Sequence, residues 1–322
     1  MKYFSSIFVF ILFLCGCSQN PQHSIDDWMV NNGKIKVLST TAMIGDLVKK
    51  IGGDRIDSMI LILGEVDPHS YQLVKGDDEK LSQAQIVFYN GLGLEHGASL
   101  RYRLQKHAKG VALGDEIQRE QPELILYVDG QKDPHIWMDI SLWSQAIDPI
   151  TAALSDIDPA GKESYEKNAE LLHQNMQTAH IELYNSLQQV PESKRYLVTS
   201  HDAFNYFTRA YLAEPSEIIN GTWKKRFEAP EGLAPDNQLS SFDIQRIIDY
   251  LCFYHIQVVF PESNVSRDSL KKIVLAGKSK GLNIKIASGP LYGDSVGSAQ
   301  SEAGTYLGMM KWDGQMMIKE WE

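Results

Sequence analysis

The chain is poor in cysteine. Of three in 322 residues, Cys15 and Cys17 fall in the first 17 and Cys252 stands alone beyond them, so the body of the protein has no internal disulfide framework. An excess of positive charge is missing too: 31 Lys and Arg against 41 Asp and Glu give a formal net charge of −10 at pH 7. Electrostatic capture of nucleic acid or of an anionic membrane surface is therefore disfavoured, and no nucleic-acid partner is expected. There is no His-Glu-x-x-His helix, and no histidine between Glu116 and Asp133. What remains is ordinary globular material, 43% hydrophobic and 22% charged, in a chain long enough for two domains.

Residues 1–20 stand apart. Lys2 precedes an unbroken apolar run from Ile7 to Leu14, followed by small residues and cysteine. The run is too short to span a bilayer and reads as a secretory signal. Leu14-Cys15-Gly16-Cys17 resembles a bacterial lipobox, which makes residues 1–16 the signal peptide and Cys17 the lipidated residue. Residues 17–33 are then a lipid-bearing tether, polar and flexible from Ser18 to Ser24. The mature protein is expected outside the cytoplasm, in the periplasm or at the cell surface, held to a membrane by acyl chains.

From Lys34 short apolar strands alternate with amphipathic helices. Ile35–Thr40, Ile56–Leu63 and Ile86–Tyr89 read as strands; Ala42–Ile51, Gly76–Ala84 and Ala98–Lys109 read as helices. That alternation predicts a parallel sheet covered on both faces. Near Asp158-Pro159 it gives way to a stretch without internal Gly or Pro, ended by Pro191. Tyr165, Ala169, Leu172, Met176, Ala179, Leu183 and Leu187 recur there at spacings of three and four, which predicts one long helix with a single buried stripe. Alternation then resumes, with strands at Tyr196–Thr199, Val258–Phe260 and Ile284–Ala287 and helices at Ala203–Tyr211, Leu239–His255 and Asp268–Lys280. Gly304, Gly308 and Gly314 interrupt a closing helix near the C-terminus. The expected fold is α/β, with two lobes, each a small parallel sheet flanked by helices, joined by one long backbone helix. The lobes are 34–157 and 191–322, the linking helix is 158–190, and ligands bind in the cleft between the lobes.

Two segments repeat a theme: Asp67-Pro68-His69 and Asp133-Pro134-His135. Proline fixes its own φ and biases the residue before it, so each Asp-Pro-His is a stiff turn presenting an imidazole. His201 and Asp294 are read at two further strand ends. Three imidazoles and one carboxylate split between two lobes form a nitrogen and oxygen donor set for Mn, Fe or Zn, with a net charge of about +1 when loaded and no thiolate to select copper(I). Glu262 is the alternative carboxylate. Asp67, Asp133 and Asp202 are read as turn residues that orient an imidazole. His96 is a loop histidine or a supporting partner, His173 and His180 face solvent on the long helix, and Cys252 is a buried small hydrophobe.

These residues carry a resemblance. Asp67-Pro68-His69-Ser70-Tyr71, the block Leu81 to Glu95, Asp133 to Asp139 (DPHIWMD), Arg195 to Phe207 (RYLVTSHDAFNYF) and Leu291 to Ser295 (LYGDS) together resemble the metal-binding lipoproteins of bacterial manganese, zinc and iron ABC importers, the cluster 9 or A-I solute-binding proteins. Asn90 to His96 and Pro230 to Leu233 look most like chlamydial-type members. The resemblance implies that His69 and His135 from the first lobe, and His201 and Asp294 from the second, hold the ion as cargo. It also implies that the long helix is the only backbone of the hinge, and that the partners are a membrane permease and its cytoplasmic ATPase. The protein is expected to be a monomer and not an enzyme. Zinc-dedicated members carry a His- and Asp-rich loop in the first lobe; 116–133 has no histidine, which places manganese or iron ahead. A metal-dependent hydrolase and a surface adhesin are the competing readings.

Overall fold

The computed structural model describes residues 25–235 and 239–322; the signal peptide, Cys17 and the stretch to Ser24 lie outside them. A short helix α1 (Ile25–Met29) precedes the first sheet. Strands β1 (Ile35–Ser39), β2 (Ile56–Ile60), β3 (Ile86–Tyr89) and β4 (Gly110–Ala112) pair in parallel in the order β2-β1-β3-β4. Helices α2 (Ala42–Gly52), α3 (Asp77–Gln83), α4 (Ala98–Lys106) and α5 (Leu113–Glu120) connect and flank them. The sheet is covered on both sides, because Val37 and Phe88 join one apolar cluster with α2 while Leu38 and Val87 join another with Leu100 and Leu104.

The tether read over 17–33 ends earlier than expected. Trp28 in α1 is fully buried in the cluster with Leu38, Leu61 and Val87, and its indole N–H donates to the Asp57 carbonyl at 3.0 Å. One tryptophan in a polar stretch buries as much apolar surface as a short run of smaller residues, a contribution that periodicity does not register.

After β4 and α5 the chain forms a tight antiparallel hairpin, β5 (Tyr127–Val128) and β6 (Gln131–Lys132), turned by Asp129 and Gly130 at φ 49° and 78°. Helices α6 (Ile140–Trp143) and α7 (Ile147–Ile157) lead into α8 (Lys162–Gln188). At 27 residues α8 is about 40 Å long. Tyr165, Ala169, Leu172, Met176, Leu183 and Leu187 are buried along one side, and Ala179 is half-buried.

The second lobe has shorter strands. Leu197–Val198 (β7) pairs in parallel with Phe227–Glu228 (β8), and Val258–Val259 (β9) with Lys285–Ile286 (β10). The Phe260 N–H donates to the Val198 carbonyl at 2.8 Å and joins the two pairs. Where a helix was expected over Ala203–Tyr211, a single turn α9 (Asn205–Phe207) runs into a π-helical turn at Thr208–Leu212. Helices α10 (Pro215–Asn220), α11 (Ser241–Phe253) and α12 (Asp268–Ser279) complete the flanks. Cys252, expected in the interior, is exposed on α11.

The closing helix α13 (Tyr306–Trp321) is continuous through Gly308 and Gly314. A Cβ on Gly314 would overlap Leu183 of α8, so this glycine marks close approach of two helices rather than a break. At its other end the Tyr306 N–H donates to Asp46 in α2 at 3.2 Å, and the Tyr306 hydroxyl donates to the Trp137 carbonyl at 2.6 Å. The long helix is the covalent crossing between lobes, and α13 straps them together without one. Core residues of both lobes form one continuous cluster from Val37 to Trp321. Gly314→Val should lift α13 off α8 and lower unfolding stability by about 1–3 kcal/mol in a urea titration; an unchanged midpoint would show the contact to be dispensable.

Candidate metal centre

Both Asp-Pro-His segments close as turns in which the aspartate accepts the backbone N–H of the histidine: Asp67 Oδ1 at 2.8 Å for His69 and Asp133 Oδ1 at 3.0 Å for His135. His69 follows β2 through a loop. His135 follows the end of β6, a strand of the antiparallel β5–β6 hairpin, and opens a 3-10 turn at Ile136–Met138. His201 follows β7. Asp294 lies beyond a parallel bridge between Glu262 and Leu291.

The four side chains converge. Their donor atoms lie within 4.8 Å of one another, and all four residues are buried. His69 Nε2 is 3.1 Å from His135 Nε2; Asp294 lies 3.4 Å from His135 Nε2, 3.2 Å from His201 Nε2 and 3.8 Å from His69 Nε2. Four donors about 2.1 Å from a shared ion stand about 3.4 Å apart in a tetrahedron. His201 Nε2 and Asp294 Oδ1 are buried without a hydrogen-bond partner. The donor set therefore fits a metal ion in size, chemistry and unsatisfied valence.

The supporting groups sit behind the donors. Asp133 Oδ1 lies 2.7 Å from His135 Nδ1, and Glu262 Oε2 lies 2.7 Å from His201 Nδ1, so each of these imidazoles presents Nε2 inward. Glu262 Oε1 also accepts the backbone N–H groups of Ser200 and His201 at 2.9 and 2.8 Å. Glu262 thus lies behind His201 rather than facing the cluster, and Asp294 is the carboxylate among the donors. Asp67 reaches the His69 backbone and the Ser70 hydroxyl, not an imidazole nitrogen. Asp202 instead accepts from Asn205, whose amide also donates to Asp133. Asn264 donates to Asp294 Oδ2 at 3.0 Å.

Charge in this buried space is shared. Burial holds His69 well below the usual histidine range. Burial pushes His135 the same way, but Asp133 and Asp294 override it and raise it to about 9. His201 behaves alike: burial opposes its charge, and Glu262 and Asp294 lift it well above the usual range. Asp294, which burial alone would raise, is held well below the carboxylate range by His201, His135 and His69.

Several contributors carry weak or no signal in sequence. The Trp137 indole donates to the Gly293 carbonyl at 2.7 Å, linking the His135 turn to the Asp294 loop. Tyr206 accepts the Leu126 N–H and donates to the Asp133 carbonyl. Glu95, fully buried, accepts from Thr40, Asn90 and Gly91 at 2.7, 2.8 and 3.1 Å and braces the Asn90–Glu95 loop. His96 is exposed at the end of that loop, its ring centre 5.9 Å from that of His69. His173 and His180, half-buried on α8, contact Asp148 and Tyr211 and take no part in the cluster. Gly293–Gly297 has Gly-x-Ser-x-Gly spacing, which a motif reading passes over. Ser295 is buried there with its Oγ 3.1 Å from Ser263 Oγ, not on a strand-to-helix elbow beside a base.

A groove of about 1210 Å³ opens onto the cluster at His69, between the β5–β6 hairpin and the second lobe. Among the described residues no helix is long and apolar enough to cross a membrane.

Comparison with known proteins places this geometry. The chain is 41% identical over 293 residues to the metal-binding protein YtgA of Chlamydia muridarum, covering 89% of this chain and 88% of that one. It is 32% identical over 280 residues to the manganese-binding lipoprotein MntA of Bacillus subtilis, covering 86% and 87%. The crystal structure of Fe(III)-bound YtgA from Chlamydia trachomatis superposes with a TM-score of 0.84 at 39% identity, over 89% of this chain and 98% of that chain. Residues 37–319 match the profile of ZnuA, the periplasmic component A of the zinc-uptake complex, and the chain belongs to that family.

Proposed function

We propose that this chain is an extracytoplasmic solute-binding protein that captures one manganese, iron or zinc ion between His69, His135, His201 and Asp294 and delivers it to the permease of an ABC transporter, driven by a cytoplasmic ATPase. The carrying observation is the convergence of four buried donors from both lobes, two of whose atoms have no other partner. An unsatisfied buried polar group is costly, and an ion at their centre removes that cost. The names of the relatives support the same reading. Lipidation at Cys17 would hold a monomer at the outer face of the membrane, beside the permease.

The alternatives have less behind them. A hydrolase needs an open coordination position and a base aimed at it, whereas four protein donors fill a tetrahedral shell. Glu262 and Asp133 are committed to histidine nitrogens. An adhesin has no use for four buried donors. Residues 116–133 hold the end of α5, a 3-10 turn and the β5–β6 hairpin and carry no histidine, which favours manganese or iron as cargo.

The soluble chain from Ser18, stripped and reloaded, should hold one ion per chain by elemental analysis, and His135→Ala should hold none; a parent that retains no ion would end this reading. Loading must displace the protons on His135 and His201, so affinity should fall by about tenfold or more per pH unit from pH 7.5 to 5, with proton release visible by calorimetry in buffers of different ionisation enthalpy. A flat profile would contradict the histidine-rich donor set. Glu262→Gln keeps the shape but loosens His201, and should weaken the ion about 10- to 100-fold in a chelator competition.

A further inference from the structure

We infer that His96 is an outer ligand that holds the ion in transit, so that exchange between groove and centre runs over His96 and His69. This rests on the metal-binding reading above. The three clustered histidines have ring centres 5.1, 5.4 and 6.1 Å apart, and His96 stands 5.9 Å from His69. Two imidazoles on one ion have ring centres up to about 6.5 Å apart, so His96 and His69 can share one. His96 N–H donates to the Leu94 carbonyl and Nδ1 faces the Gly93 carbonyl at 3.4 Å, leaving Nε2 with no protein partner among the described residues.

His69 is the suitable inner neighbour. His135 and His201 each have a carboxylate at Nδ1, and His69 has none among the described residues. Of the three it alone lines the groove. The loop that carries His96 is built stiffly for an exposed segment: Glu95 accepts three donors, and Gly91, Leu92 and Gly93 all take positive φ, an unusual conformation for Leu92. The groove favours a cation. Acidic residues outnumber basic ones along it: Asp115, Asp129, Asp202, Glu228, Glu231 and Asp243 against Lys132, Lys224 and Arg246.

An incoming hydrated ion exchanges one water for His96 Nε2, then others for His69, and releases His96 as His135, His201 and Asp294 complete the shell. His135 and His201 lose their Nε2 protons to solvent as they take the ion; apart from those N–H bonds, only metal-to-ligand bonds are made or broken. A ligand held only in transit lowers the barrier in both directions and leaves the end states alone, which distinguishes it from a resting ligand.

The test is stopped-flow uptake of Mn(II) alone, and release to excess chelator, by the soluble chain from Ser18. Tryptophan emission is the readout, since Trp137 lies 5.3 Å from the His135 ring. His96→Ala should slow both uptake and release about tenfold while the equilibrium constant stays within about twofold. His173→Gln, on α8 away from the groove, should change neither. Unchanged rates in His96→Ala would overturn the proposal. So would weaker equilibrium binding with unchanged uptake, which would make His96 a resting ligand. A parent that takes up no ion would bring down the metal-binding reading itself, and this would be seen before any variant is compared.

Discussion

The rest of the structure depends on keeping one carboxylate and three imidazoles out of water with their donor atoms facing each other. Such a cluster is unstable unless something positive sits within it. Where no ion is held, protons supply part of that charge: Asp133 raises His135 and Glu262 raises His201, Asp294 adds to both, and the histidines in turn depress Asp294. His69 stays neutral. Proton and metal are thus alternative occupants of one electrostatic need, and the site can stand assembled before its cargo arrives. Asp133 and Glu262 make that possible by fixing which nitrogen of each ring points inward.

Half of the donors come from each lobe, so the lobes themselves must be held in register. Three buried tyrosines of the second lobe bond to the backbone of the first: Tyr206 to Leu126 and Asp133, Tyr211 to Ile140, and Tyr306 to Trp137. Each removes a buried peptide group from the unsatisfied count at a point within a few residues of the His135 turn. The Trp137 indole returns a bond in the other direction, to Gly293. With α8 free of internal glycine and proline, and α13 strapped across α2 and α8, wide opening of the cleft would break a continuous core. Access to the ion therefore falls to side chains at the groove, where His69 is the least restrained donor.

Much of this was legible in the residues. β-branched runs and helical stripes marked β1, β2 and β3 and all but the ends of α8, because local pattern and burial agree there, whereas β4 and the β5–β6 hairpin are too short to leave a pattern. The stiff Asp-Pro-His turns pointed to two of the donors. Elements governed by tertiary contact were not legible. Trp28 buries itself from a polar stretch, Gly314 serves helix contact rather than helix termination, and a π-helical turn replaces the ordinary helix expected after Phe204. The tyrosine hydroxyls and Glu95 carry no periodic signal, since a single hydrogen bond across many residues leaves no trace in spacing. Glu262 and Asp294 looked alike as acids near strand ends. Only the direction each carboxylate faces separates the inward donor from the brace behind it.

A rigid frame bears on which ion is held. Affinity for a nitrogen and oxygen shell rises along the first row from manganese to copper, and zinc, though below copper, lies above manganese, so tightness alone would favour zinc over manganese. Geometry can work against that order. Both oxygens of Asp294 face the cluster, Oδ1 towards His135 and Oδ2 towards His201 and His69, so the carboxylate can supply two donors and raise the coordination number to five. Zinc gains least from a fifth donor because four already satisfy it. The Asn264 bond to Oδ2 holds the carboxylate in that orientation, and Gly293 beside it leaves room for Glu262 behind His201, since a Cβ there would meet Glu262 Oε2 at 2.5 Å. A frame that fixes a two-oxygen aspartate narrows zinc's advantage and leaves the outcome to the ions the cell envelope supplies.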